Sequence, residues 1–405
     1  MARGDDKNAG RRLRVNGHSA TWLRQGFPWV YPNEVVGQLP KPAGTEVLLE
    51  AADGTVLGRA LTDDAWIAAR VYRVDGGLLD EAWMRGRLDD AITLRERLVL
   101  SEDTNCARLV HGENDALPGV RVDKWGDYLT VILDTPAVRS LLPLLVDALV
   151  ERLAPLGVFL CYRLDSRDTR DPSQFTPAPG WLYGQAPEGG EVVVLERGMA
   201  MRVRPGEGPD VGSYPDMRDV RAWLAPHWAG RRVLNTFAYT AGFSVAAMRG
   251  GAAEAVSVDL AVVSLERAKA NFVANGLDPD ASEFLAEDSF RVLDRFRRTG
   301  RRFDLVVVDP PSFSHGPEGM WSAKKDLPRL VAAAVRVLDR RGLLVVASNQ
   351  GQVSPREFRG AMAEGFKRAE RTARELAFLG AAVDHPALVT FPEGHYLKVG
   401  VWALD

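Results

Sequence analysis

From Arg232 onward, short apolar runs alternate with stretches whose apolar residues recur every three or four positions. The runs predict strands over 232–237, 255–259, 282–287, 304–309 and 342–348. The intervening stretches predict helices over 244–248, 262–275, 289–299 and 326–338. Alternation of this kind predicts an α/β, Rossmann-like doubly wound parallel sheet. Two further strand-like pieces, 375–379 and 395–403, can add antiparallel edge strands. The fourth run, Asp304-Leu305-Val306-Val307-Val308-Asp309-Pro310-Pro311-Ser312-Phe313, is the most informative. Its apolar body suits a strand covered on both faces. Pro310 and Pro311 forbid further ladder pairing. Ligands of open α/β sheets sit beyond the carboxyl ends of the strands, so Asp309 to Phe313 should face the site. Taken alone, the stretch is equally a buried strand with a proline stop.

The pattern ahead of Val211 is different. Residues 1–10 read as a tail. Alternating pieces at 46–51, 55–61 and 67–74, with Asp53-Gly54 as a hairpin turn, predict a small β domain over 11–76. Arg11, Arg12, Arg14 and Arg24 stand ahead of Phe27, Trp29 and Tyr31. The aromatics read as core. The arginines read as RNA contacts, with a solvated face as the bland alternative. A helix over 76–101, strands at 107–111, 120–123, 128–133 and 158–163, a helix at 138–153 and a hairpin at 192–204 predict an α+β middle domain over 77–205. The Pro/Gly-rich stretch 171–190 reads as loop. The remaining 206–405 forms the third domain.

Composition narrows the function classes. The chain has 405 residues, 46% of them hydrophobic and 26% charged, enough for more than one core. A net charge of −3 does not announce nucleic acid, although local basic groups can still bind it. Cys106 and Cys161 are the only cysteines, so neither a disulfide framework nor a cysteine-rich metal site is expected. The first residues lack an apolar signal region, and no apolar run reaches membrane-spanning length. The expectation is a cytoplasmic protein with no membrane partner and no metal.

Three further strand ends carry polar chemistry. After the first strand comes Phe237-Ala238-Tyr239-Thr240-Ala241-Gly242-Phe243; after the second, Asp259; after the third, Asp288-Ser289. Asp259 lies 24 positions past Asn235, near the spacing of ~20 at which a Rossmann acid takes ribose hydroxyls. Phe237 and Tyr239 occupy places that dinucleotide folds give to glycine. That argues against a pyrophosphate and leaves room for S-adenosylmethionine. Singly, Asp259 and Asp288 are each as readily helix caps. Three aligned strand ends followed by D-P-P-x-F are harder to explain that way.

These motifs resemble class I S-adenosylmethionine-dependent methyltransferases. More closely, the chain resembles the large-subunit ribosomal RNA methyltransferases of the RlmI type, which carry an N-terminal PUA domain. Gln25 to Tyr31 is similar to the PUA opening, and Glu113 to Asp127 to the middle domain's E-x-D-x-L-P-G-x-x-x-D. Val211-Gly212-Ser213-Tyr214-Pro215-Asp216-Met217-Arg218-Asp219 is similar to the family's G-Y-Y-x-D-Q-R-D, and Phe391 to Lys398 also fits. The resemblance implies S-adenosylmethionine as cofactor. Phe237, Ala238, Tyr239, Gly242 and Phe243 would surround its methionine end, and Asp309 and Pro310 would adjoin it. Asp259 would take the ribose, and Asp288 with Ser289 the adenine. Tyr214, Asp216 and Arg218 would close the pocket. Phe313 would stack on a flipped base. The implied partner is large-subunit rRNA or its precursor, with room for a homodimer.

One departure matters. Cytosine C5 methylation needs a cysteine thiolate to add at C6. The RlmI type carries that cysteine in Ser-Cys-Ser after the fifth strand, where this chain has Ser348-Asn349-Gln350. Ser348-Asn349-Gln350 resembles instead the Ser-Asn-Asn of guanine-N7 methylating relatives. The expectation is therefore purine N-methylation, guanine N7 first, with Asp309 and Asn349 orienting the base. A loop Asn capping the helix that starts near Pro355 is the plain alternative for Asn349. Cytosine-C5 methylation, an inactive RNA-binding protein and a small-molecule methyltransferase are the rival functions. Lys325 and Lys398 are read either as phosphate contacts or as ordinary surface lysines.

Overall fold

A computed structural model describes residues 11–164, 170–311, 313–316 and 319–405, with side chains throughout except for 313–325. The chain divides into two compact units. The second comprises Val193–Val203, Gly212–Val383 and His395–Asp405. Its centre is a seven-stranded sheet of β1 (Arg232–Thr236), β2 (Glu254–Asp259), β3 (Glu283–Ala286), β4 (Phe303–Val308), β5 (Leu338–Ser348), β6 (Ala373–Leu379) and β7 (Lys398–Leu404). The spatial order is 3-2-1-4-5-7-6, with the first five strands parallel and β7 antiparallel to both β5 and β6. The reversal between β1 and β4 is the switch point at which such sheets bind ligands.

Helices α1 (Gly242–Arg249), α2 (Val262–Ala274), α3 (Ser289–Thr299), α4 (Ala323–Val335) and α5 (Pro355–Arg368) connect the strands. Strands β1, β4 and β5 are buried on both faces, with Leu234, Val306, Val308 and Val346 at 0% exposure facing one core. Val233, Leu305, Val307 and Val345 face the other. That two-sided burial is why these runs are continuously apolar. At the opposite edge from the site, Arg232 at the head of β1 makes a two-pronged contact with Asp304 of β4 and a third bond to Asp339. Helix α4 ends before the predicted 338, because Leu338 pairs with Phe303 and joins β5.

The first unit holds two sheets. One runs Trp29–Val30, Ala69–Arg73, Val56–Thr62, Glu46–Glu50, Arg11–Val15, Val35–Val36 in spatial order. Two elements here escape the periodicity reading. Arg11–Val15 is a strand whose buried side chains are only Leu13 and Val15. Gly17–Arg24 is a helix capped by the Asn16 side chain. Arg12 and Arg14 sit outward and pair with Glu50, and Arg11 donates to the Lys41 carbonyl. Phe27, Trp29 and Tyr31 pack against one another with Trp66 and Phe391.

The second sheet of this unit runs Gly180–Gly184, Gly157–Tyr162, Tyr128–Leu133, Val120–Trp125, Cys106–His111. Its edge strand Gly180–Gly184 lies in the stretch read as loop. The hairpin Val192–Glu196 and Met199–Val203 is not its fifth strand: it forms a separate two-stranded sheet, and most of it groups with the second unit. The segment Asp384–Gly394, although late in the chain, groups with the first unit. Among the described residues no helix is long and apolar enough to cross a membrane, and no three His, Cys, Asp or Glu side chains cluster to hold a metal.

Candidate active site

The carboxyl ends of β1, β2, β3, β4 and β5 all open on one edge of the sheet. After β1 the chain makes a turn with three non-glycine residues in the left-handed region: Phe237 at φ 58°, Tyr239 at φ 50° and Ala241 at φ 61°. Such residues cost about 1–2 kcal/mol each and persist only where their surroundings fix them. The fixing bonds are visible. The Ala238 amide donates to the Val258 carbonyl at 2.9 Å, and the Tyr239 amide to Asp259 Oδ2 at 2.8 Å. The Ala241 amide closes back on the Ala238 carbonyl at 2.7 Å. Thr240 donates its hydroxyl to the Gly212 carbonyl, and the buried Asn271 donates to the Thr240 carbonyl while accepting from the Arg202 amide. Gly212 itself has φ 127°, and a Cβ there would lie 2.9 Å from the Arg202 carbonyl oxygen. Its glycine is therefore a requirement of the backbone.

Asp259 accepts from both sides of the crevice, from Tyr239 with one oxygen and from the Ala261 amide with the other. A carboxylate has about four acceptor positions, so about two remain for a ligand. Asp288 is the N-cap of α3, accepting from the Arg291 amide, and Ser289 behind it is 4% exposed. The cap reading of Asp288 therefore holds, and it leaves one carboxyl oxygen over.

Asp309 follows the last residue of β4. Burial pushes its carboxyl up to about 7; the neighbouring Asp216 adds to the rise and Arg221 opposes it. Asp216 accepts from the Tyr396 hydroxyl at 2.7 Å, and its backbone carbonyl from the Ala382 amide. Arg221 is held by a two-pronged, buried pair with Glu196 at 2.7 and 2.6 Å and also reaches the Tyr214 carbonyl. Its guanidinium lies 5.5 Å from the Phe243 ring centre. Tyr214, 42% exposed, stands with its ring 5.2 Å from that of Tyr239. Arg218 and Phe243 are buried and Pro310 is enclosed, so these three support the pocket wall rather than face open solvent.

Asn349 is exposed just past the end of β5. It is not the cap of α5: Ser354 takes that place, in a reciprocal pairing with Glu357. The Phe313 side chain, Ser312 and the Lys325 side chain lie outside the described residues. Lys398 is neither a surface lysine nor a phosphate contact, being 2% exposed with its ammonium on the Gln350 carbonyl. Sequence reasoning missed Glu196, Arg221, Asn271 and Tyr396. Their roles depend on contacts between distant segments, and no local pattern marks them.

A seven-stranded 3-2-1-4-5-7-6 sheet with acids past the ends of β2, β3 and β4, on either side of β1, defines a class I methyltransferase. The model of the S-adenosylmethionine-dependent methyltransferase family matches residues 164–382, and that of the PUA-like domain matches residues 13–73. The Ribosomal RNA large subunit methyltransferase I of Shewanella denitrificans is 32% identical over 394 residues, covering 96% of this chain and 98% of that protein. The protein of the same name from Cronobacter sakazakii is 32% identical over 396 residues, with the same coverage. Among solved structures, SMU.776 complexed with SAH superposes with a TM-score of 0.87 at 25% identity, covering 97% of this chain and 100% of that one. The chain belongs to the S-adenosylmethionine-dependent methyltransferase family, on the branch that includes these curated relatives. It is an enzyme, and S-adenosylmethionine is its cofactor.

Proposed function

We propose that the enzyme methylates a base of 23S (large-subunit) rRNA, by purine N-methylation with guanine N7 as the preferred atom. The rRNA substrate is supported by the names of relatives that match nearly the full chain. The domains 11–76 and 77–205 serve as the RNA-gripping modules, the first because PUA-like folds of this kind accompany it in the family it resembles. Nothing in this reading requires a homodimer.

The observation that carries the choice of atom is Asn349, an exposed amide past β5 where a C5 enzyme needs a thiol. The cysteines present, Cys106 and Cys161, are both buried, and burial pushes the Cys161 thiol up to about 12. A thiol so held is not a nucleophile at neutral pH. That disfavours cytosine C5. The loop held by Asp259 and the protonatable Asp309 disfavour an inactive RNA-binding protein.

In this reading Asp259 takes the ribose hydroxyls, and Asp288 with Ser289 the adenine. Phe237, Ala238, Tyr239, Gly242, Phe243 and Pro310 shape the methionine end, and Tyr214, Asp216 and Arg218 close the pocket. The cofactor supplies a methyl group on a positively charged sulfur. That methyl would pass in line to a ring nitrogen with a free lone pair, from which no proton has to leave. Asp309 is suited to that transfer: positive charge beside it would favour its carboxylate form, which would then offset that charge. Asn349 can donate and accept along the base edge. Phe313 stacks on the extruded base. Positioning of this kind supplies much of the rate.

Nucleoside mass spectrometry of 23S rRNA from a deletion strain tests the reading. Loss of 7-methylguanosine, restored by the wild-type gene, is the expected result. Loss of 5-methylcytidine instead would sink the N7 assignment, and unchanged rRNA would sink the substrate.

A further inference from the structure

Lys398 opens β7 and pairs in register with Ser348, the last residue of β5. It is 2% exposed. Its ammonium donates to the Gln350 backbone carbonyl, and among the described residues it has no other hydrogen-bond or ionic partner. Burying a cation without a carboxylate is costly. The direction of its pKa agrees: burial alone lowers it. A methionine would fill the same space without that cost. The ammonium therefore needs a local reason.

The carbonyl it holds is the reason on view. Gln350 follows Asn349, and its carbonyl also accepts from the Val353 amide at 3.1 Å. Val353 leads directly to the Ser354 cap of α5. On the other side, Ser348 is pinned by the sheet ladder. Asn349 is thus the one exposed residue between two fixed points, and the downstream point depends on Lys398.

We propose that Lys398 is a positioning residue, whose ammonium locks the Gln350 carbonyl and so fixes the backbone from which Asn349 meets the substrate base. This rests on the reading of Asn349 given above. The lysine does not touch substrate; it acts through the turn. Misplacing a reacting or orienting group by about 1 Å can cost on the order of 100-fold.

A double-mutant cycle on the full-length enzyme tests it, with 23S rRNA from the deletion strain as substrate. Asn349→Ala and Lys398→Met are each expected to lower kcat about 10- to 100-fold, with S-adenosylmethionine affinity within about twofold of wild type. The double variant is expected to be no slower than Asn349→Ala alone, because the lysine has nothing left to position. Lys398→Gln keeps a donor without the charge and is expected to recover part of the loss; it also serves should the Met variant fold poorly. Multiplying losses in the double variant, or wild-type kcat in Lys398→Met, overturns the proposal alone. Wild-type kcat in Asn349→Ala overturns the base-recognition reading and this proposal with it.

Discussion

The two units bury charge in opposite ways. In the first, the buried arginines come in neutralising groups. Arg70 sits between Asp63 and Glu113, and these side chains are 6%, 0% and 9% exposed. Trp29 adds its indole N–H to Glu113 and Thr135 its hydroxyl to Asp63. Arg95, at 0%, makes a two-pronged contact with Asp115 and reaches the Asp384 carbonyl. In the second unit, Asp309 keeps its proton up to about pH 7 and Lys398 holds only a carbonyl. Arg221 with Glu196 is a paired exception, and it backs the cofactor loop. Charges satisfied by the protein maintain the fold. Asp309, left without a cation of its own, is poised for chemistry the protein does not itself complete, whereas Lys398 serves the turn it holds.

The largest expected effect breaks the first pattern. Arg70→Met leaves Asp63 and Glu113 buried without their cation. Breaking a buried pair in this way costs about 3–5 kcal/mol. Denaturant unfolding of the variant should show that loss, with S-adenosylmethionine affinity unchanged; a loss under about 1 kcal/mol would show the cluster to be dispensable.

Asp309→Asn probes the second pattern and should act with the opposite sign. The carboxyl's ordinary value is 3.8 and the fold raises it to about 7. Between those values the folded protein binds more protons than the unfolded one. Stability contributed by protonated Asp309 is therefore full below about pH 4 and lost as pH rises to about 7. At about 1.4 kcal/mol per pKa unit, the asparagine variant should gain up to about 4 kcal/mol over wild type between pH 4 and pH 8. Its methyl transfer should be strongly impaired. A gain independent of pH would mean that Asp309 titrates normally.

A smaller effect is expected at Asp259, which is half in solvent and already bonded to two amides. Hydrogen bonds to a charged group are worth about 1.5–3 kcal/mol, so Asp259→Asn should weaken S-adenosylmethionine binding about 10- to 100-fold by calorimetry. Unaltered affinity would remove Asp259 from the pocket.

What was legible in the sequence follows the same division. The strands of the second unit are apolar on both faces, and the polar residues at their ends therefore stand out. Asp259, Asp288 and Asp309 could be found by counting from strand to strand. The strand Arg11–Val15 was hidden because three of its five residues are arginines on its outer side, which mimic a basic loop. Gly180–Gly184 was hidden by glycines at both ends and prolines around it. Lys398 and Arg221 were misjudged or missed for a deeper reason. Their surroundings come from residues 48 and 25 positions away, and residue type argued for the surface.

The left-handed turn at Phe237, Tyr239 and Ala241 bears on how this enzyme could be engineered. Glycine at Tyr239 would relieve native strain of about 1–2 kcal/mol but give the unfolded chain about 0.4–1 kcal/mol of extra freedom. The net gain is only about 1 kcal/mol, so thermal stability is a poor guide to what that position does. Whatever the tyrosine ring contributes beside Tyr214 will register in ligand affinity and turnover, and a stability-based screen of this loop would discard the informative variants as neutral.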